Sequence, residues 1–299
     1  MIPAAFCDVG VRESCRLPGR IPLKSTKVFV DSSLSEASSE VSVKTHFESR
    51  WANHAARVVI TLAAAALLFT LRPDLYGQAR DQFQAATGWA LRPIIVREYM
   101  QANRVHKLQV GAGNNSPAGW LNTDIVPAGS QAYLDITKPL PFADGSFQYI
   151  FGEHVIEHIP YEDGLAFFKE AHRILAPGGK IRMVTPNLSV YLALFNKPDP
   201  EHSIGTANYV KRKLEAQAWS ESPDPACIIL NNQMRWFGHQ LLYTPALLRS
   251  SLEQAGFTQI RQYAAGESDD AVLKAIDFGP STYYKDVNAF EAMAFEATR

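Results

Sequence analysis

The chain has 299 residues, 46% of them hydrophobic and 20% charged, with a formal net charge of −1, which are ordinary values for a soluble globular protein. So balanced a charge leaves no basic field to hold nucleic acid. Three cysteines, Cys7, Cys15 and Cys227, contain no CxxC pair; they exclude a disulfide scaffold and suit a reducing compartment.

Residues 1–50 are Ser/Glu-rich around DSSLSEASSEVS and are interrupted by Pro3, Pro18 and Pro22. Such a composition cannot bury enough apolar area to offset chain entropy, so this segment is expected to be disordered. No apolar run follows Met1 as a secretion signal requires. Residues 51–100 read as a helical extension containing the apolar run 58–71, which is bounded by arginines. A helix of that length reaches about 21 Å, short of the roughly 30 Å of bilayer hydrocarbon. It is expected to be buried against the main domain or a partner, with a membrane-surface anchor as the alternative. The expected location is cytoplasmic, with membrane association through this helix left open.

From residue 107 the pattern changes. KLQVGAG is a short β-type run ending in glycines, and LNTDI, QAYLDI and SFQYIFGE are further runs ending in or near Asp124, Asp135 and Glu153. YEDGLAFFKEAHRIL reads as a helix with Leu165, Phe168 and Leu175 on one side. APGG then breaks it, and KIRMVTP is a fifth strand. Strands alternating with helices and long turns argue for a parallel sheet. Ligands of such sheets bind outside the carboxyl ends of the strands. Gly111, Gly113, Asp124, Asp135 and Glu153 all fall at such ends and are expected to line one crevice. The glycines let a ligand approach the backbone.

These strings resemble a known family, the class I S-adenosylmethionine-dependent methyltransferases, and in particular a bacterial branch. The matching residues are VGAGNNSPAGWLNTD, LPFADGSFQYI, GEHVIEH and RILAPGGKIRMVTP, with a weaker echo over 230–263 and a last strand near 290–297. The resemblance implies a Rossmann-like, doubly wound α/β sheet. It would have seven mostly parallel strands, the last antiparallel, and helices on both faces. The domain would span 101–299, with a substrate-recognition insertion at 189–243. It implies S-adenosyl-L-methionine as cofactor. Gly111, Ala112 and Gly113 would face its methionine part, Asp124 its ribose, Asp135 and Ile136 its adenine, and Glu153 and His154 its reactive methyl. Two positions depart from the family pattern: Gln109 stands where many members carry an acid, and Gln148 where the family has SFD.

HVIEH also satisfies the H-x-x-E-H order of a zinc peptidase family. That site needs a helix long enough to present His154 and His158 together. Here a strand runs directly into the motif and Pro160 follows two residues after it, disfavouring helix at Ile159. The sequence therefore predicts a strand-to-turn junction and no metal. His158 is read as a structural or capping histidine. The expected general base is His154, followed by Glu153 and then His239. In the insertion, Trp236 and Phe237 read as core, whereas Arg235 and His239 are expected to touch the acceptor. The expected activity is methylation of a hydroxyl on a small molecule or saccharide. The alternative is a non-catalytic cofactor-binding protein acting through a partner.

Overall fold

The computed structural model describes residues 73–195, 210–211, 223–235, 237–277 and 289–299. The segment expected to be disordered at 1–50 and the apolar helix at 58–71 lie outside the described residues, as do Tyr209, Trp219 and Trp236. The chain divides into two compact units, residues 1–80 and 81–299. Of the first, only the helical residues 73–80 are described. Among the described residues, no helix is long and apolar enough to cross a membrane.

Helix α1 spans Pro73–Ala102. Near its end, Ile95, Val96, Tyr99 and Met100 pack on the main core, as residues one helical turn apart share a face. The Tyr99 hydroxyl accepts from Lys107 N (2.7 Å) and donates to Lys107 O (3.0 Å), fixing the helix end to the first strand. The strands are β1 (Lys107–Val110), β2 (Leu121–Asp124), β3 (Ala132–Tyr133), β4 (Phe147–Glu153), β5 (Leu175–Pro186), β6 (Thr258–Tyr263) and β7 (Ala292–Thr298). They form a seven-stranded sheet in the order β3-β2-β1-β4-β5-β7-β6. Pairs among β1 to β5 are parallel, and β7 enters antiparallel between β5 and β6. This is the expected Rossmann-like arrangement.

Three details differ from the sequence reading. The third strand is only Ala132–Tyr133, so Asp135 lies beyond it. APGG does not separate helix from strand, because β5 starts at Leu175 and a bulge between Leu175 and Lys180 absorbs the four residues. The left-handed turn of that bulge falls on Gly178 (φ 75°), where a side chain would be strained. Third, helix α2 (Tyr161–Ile174) buries Gly164, Phe167, Phe168, Ala171 and Ile174. The helical period running through the Phe167–Phe168 pair selects that stripe and leaves Leu165 only partly covered. Glu162 and Asp163 in the first turn, with His172 and Arg173 in the last, complement its dipole.

The sheet buries two faces of different character. One carries Leu108, Val110, Ile150, Ile181, Met183, Met293, Phe295 and Ala297. Residues of α2 and of α5 (Pro245–Gln254) pack into the same cluster. The alternate residues Phe151, Val184 and Ala294 lie in a second cluster with Trp120 and Leu273. On the side of the sheet that carries Val184, β5 also places Arg182, fully buried. Its guanidinium makes a two-pronged pair with Asp277, reaches Glu296 (2.6 Å) and donates to Glu267 O (3.0 Å). Lys180 adds a 2.7 Å contact to Asp270. Charged contacts to β5 thus fasten the irregular stretch 266–277.

Removing one partner of a buried ion pair strands the others in a medium that solvates them poorly, at a cost of about 3–5 kcal/mol. Arg182→Met, which keeps the side-chain length, leaves Asp277 and Glu296 without their cation. The unfolding free energy obtained from urea denaturation is expected to fall by an amount in that range, whereas Arg261→Met, which breaks an exposed pair to Asp269, should leave the midpoint close to the parent's.

Candidate active site

Chain order reverses between β1 and β4. The segments β1, β2 and β3 step outward on one side, and β4 returns to the other side of β1. Connections therefore part there, and a crevice opens at the carboxyl ends. Register pairs Val110 with Gly152, so Gly111 and Glu153 leave the sheet side by side. Gly111 has φ 62°, and a Cβ there would lie 2.5 Å from Val155 Cγ2; only glycine fits. Gly113 has φ 49° as well, but nothing lies within 4 Å of where its Cβ would be.

The loop after β1 is braced by its neighbours. Asp124, at the end of β2, accepts from Gly113 N (2.8 Å) and Val126 N (2.9 Å), one bond on each oxygen. Each oxygen retains a lone pair for another donor. Gln131 donates to Gly113 O (2.8 Å) and Ser116 Oγ (3.0 Å). Ala112 N donates to Thr123 O (2.9 Å). Across the crevice, Asn115 Nδ2 lies 3.5 Å from Glu153 Oε2. Asp135 turns back on its own chain, with one oxygen accepting from Thr137 N and Thr137 Oγ1. Ile136, expected with Asp135 at the adenine, is buried. Burial alternates from Ala132 to Ile136, so Ile136 falls with Ala132 and Leu134 in the core.

HVIEH is a strand-to-turn junction. β4 ends at Glu153, His154 takes a left-handed conformation (φ 50°), and a 3-10 turn covers Ile156–His158. The residue that organises this junction is Glu157, fully buried. Its carboxylate accepts from His154 Nδ1 (3.0 Å) and Thr185 Oγ1 (3.0 Å). Burial alone would raise the Glu157 pKa, but the bond and charge of His154, with His158 behind, hold it below the ordinary carboxylate value. For His154, burial pulls downward, and the bond and charge of Glu157 outweigh it, lifting the imidazole above its usual value. Because a carboxylate only accepts, Nδ1 carries the proton. In the neutral ring Nε2 then offers a lone pair, and that atom is buried without a hydrogen-bond partner among the described residues.

The backbone of Glu157 also anchors the insertion. Its carbonyl accepts from Gln240 N (2.8 Å) and Leu241 N (3.2 Å), and Gln240 Nε2 donates to His158 O (2.8 Å). The insertion has its own small core of Tyr191, Ile229 and Leu242, between α3 (Leu188–Ala193) and α4 (Pro225–Arg235). Arg235 sits exposed in the last turn of α4. His239 stacks edge-on against His158 (centroids 4.7 Å) and holds Gln233 O through Nδ1 (2.5 Å); burial lowers its pKa. Although no metal was expected, Glu157, His158 and His239 are brought together, with ligand atoms within 4.8 Å of one another.

Glu157 has no role predicted from the sequence beyond its place in the motif, and neither have Thr185, Gln131 and Asn115. For Glu157 a signal existed, since a carboxylate three residues after a histidine faces it across one turn. The other three become visible only when separate strands meet. Of the two departures from the family pattern, the one at Gln148 has a local explanation and the one at Gln109 has none. Gln148 accepts from His106 N (2.7 Å), and Gln109 is buried with its Oε1 unpaired among the described residues.

Residues 128–183 match the protein-family profile described as "Methyltransferase domain", a stretch running from just before β3 through α2 into β5. No curated protein matches the chain. Similar solved structures include an S-adenosylmethionine-dependent methyltransferase from Mesorhizobium loti, at 15% identity over 67% of this chain and 95% of that one, TM-score 0.37. Another is from Archaeoglobus fulgidus, at 15% identity over 74% and 94%, TM-score 0.37. A third is phosphoethanolamine N-methyltransferase 2 of Haemonchus contortus in complex with S-adenosyl-L-methionine, at 14% identity over 71% and 52%, TM-score 0.33. Overlaps this loose carry no argument about what the chain does.

The two glycines should respond differently to the same substitution. Gly111→Ala meets both left-handed strain and the Val155 contact, so it is expected to cost about 2–4 kcal/mol. Gly113→Ala meets strain alone, about 1–2 kcal/mol. Chemical denaturation of the two variants checks the order.

Proposed function

We propose that the chain is an S-adenosylmethionine-dependent methyltransferase whose acceptor is a hydroxyl group of a small molecule or saccharide. The observation behind this reading is the set of groups gathered where strand order reverses: the left-handed glycines 111 and 113, Asp124, and the Glu153–His154 pair. The family profile match over 128–183 supports it. The site fits the cofactor. Gly113 leaves open the space a Cβ would fill. Asp124 has lone pairs beyond its two backbone bonds for paired ribose hydroxyls. Ala112 contributes backbone between the two glycines, and Asp135 offers its second oxygen at the outer end. Ile136 would present an apolar edge beside Asp135.

S-adenosylmethionine, when bound, supplies a methyl group already activated by its sulfonium, so the protein's task is mainly alignment and proton removal. His154 suits the second task. Glu157 fixes its tautomer and orientation through Nδ1, and Nε2 takes the proton from the acceptor hydroxyl. The imidazolium that forms is stabilised by the buried Glu157 carboxylate, as in other carboxylate–histidine pairs. Glu153 stands at the same strand end as the second candidate, and Arg235 and His239 remain candidates for acceptor contact from the insertion.

Calorimetry with S-adenosylhomocysteine and with NADH tests the cofactor. Saturable binding of the first alone is expected; binding of NADH alone would end the proposal. Asp124→Ala is expected to weaken S-adenosylhomocysteine binding by roughly 10- to 100-fold, through loss of about 1.4–2.7 kcal/mol of charged hydrogen bonding. Because Asp124 also braces Gly113 and Val126, Asp124→Asn, which keeps an acceptor oxygen, is the sharper variant. An affinity within about twofold of the parent in both would remove Asp124 from the site.

Radiolabelled methyl transfer to a cell extract tests the base. His154→Ala is expected to lower incorporation by about 10²–10⁴-fold, with S-adenosylhomocysteine affinity within threefold of the parent. Unchanged incorporation would pass the role to Glu153 or His239.

A further inference from the structure

We propose that Glu157, His158 and His239 form a binding site for one divalent transition-metal cation, distinct from the cofactor crevice set of Gly111, Gly113 and Asp124. Their ligand atoms lie within 4.8 Å of one another. Donors sharing a tetrahedral cation at bond lengths of 2.0–2.2 Å stand about 3.4 Å apart, a closure that small rotations of two imidazoles supply.

Proximity alone would not make a site, but the surrounding bonds do what the outer shell of a metal centre does. His239 Nδ1 lies 2.5 Å from Gln233 O. A carbonyl can only accept, so Nδ1 carries the proton and the Nε2 lone pair of the neutral ring is free to ligate. The Glu157 carboxylate is oriented by two donors, His154 Nδ1 and Thr185 Oγ1, and each oxygen keeps a lone pair beyond them. The two segments are held together by the backbone. Gln240 N and Leu241 N bind Glu157 O, and Gln240 Nε2 binds His158 O, which fixes the residues on either side of the cluster before any ligand arrives. A carboxylate with no solvent exposure also calls for a compensating cation.

The donor set decides the class of metal. Two imidazoles and one carboxylate suit zinc, cobalt or iron(II), and are poor for magnesium or calcium, which take oxygen. The arrangement is not the H-x-x-E-H site the sequence suggests. His154 serves as an outer partner of Glu157, and the second imidazole comes from His239, some eighty residues on. Three protein ligands leave a coordination position open.

Untagged full-length protein, stripped with a chelator, is titrated with cobalt(II) and with zinc(II). The expected result is one equivalent of each, with visible cobalt absorption bands of a low-symmetry nitrogen–oxygen site. His239→Ala and His158→Gln should each weaken binding at least about tenfold, and thermal unfolding of the metal-free variants verifies that they fold. His172→Ala, on α2 against Phe257, should bind as the parent does. Absence of saturable binding, or binding that survives both cluster variants, would overturn the proposal. The titration needs neither cofactor nor acceptor, so its outcome is independent of the methyltransferase reading.

Discussion

A carboxylate without access to water must be satisfied by its neighbours, and Glu157 is the residue on which the candidate active site depends. Its side chain joins the end of β4 to the end of β5, through His154 and Thr185. Its carbonyl joins both to the segment ahead of α5. Desolvation penalises the charge, and the bonds it accepts offset that penalty only if all of them are present. The constraint is therefore cooperative, fixing three pieces of chain in one arrangement. It also explains how His154 tolerates a left-handed backbone, since a residue in that conformation persists where its surroundings over-determine it.

A second constraint is topological. Once β4 is inserted beside β1 on the side opposite β2, the loops above their carboxyl ends diverge and cannot fill the space between them. Glycine at 111 lets Val155 close the floor, and Asp124 with Gln131 holds the loop open above it. Opposite ends of this crevice differ in chemistry. The β1–β2 side offers backbone and the Asp124 carboxylate, whereas the end of β4 offers Glu153 and the imidazole of His154.

The far side of the sheet solves a different problem. Where β5 carries Arg182 and Lys180, the covering stretch 266–277 is irregular, and charged pairs hold it in addition to the apolar contact of Leu273. Such pairs are directional, so they fix the register of β7 on β5 as well as the loop: Arg182 and Glu296 are direct cross-strand partners.

The sequence by itself determined the sheet and the order of its strand ends. Apolar runs closed by glycine or an acid are local signals, as are the helical period of α2 and the proline that ends the HVIEH turn. From these the positions 111, 113, 124 and 153 at or just past the strand ends were legible, as was the strand-to-turn junction at HVIEH. What only the tertiary structure decided involves groups far apart in the chain. Leu165 went to other surroundings than expected, because a shift of one position in the helical stripe changes which side chain meets the core, and β3 was cut short of Asp135. The meeting of Glu157 with Thr185, and of His158 with His239, depends on backbone bonds between segments that no periodicity connects. A sequence records which groups can pair, but a buried charge finds its partners only when strands from distant parts of the chain have packed around it.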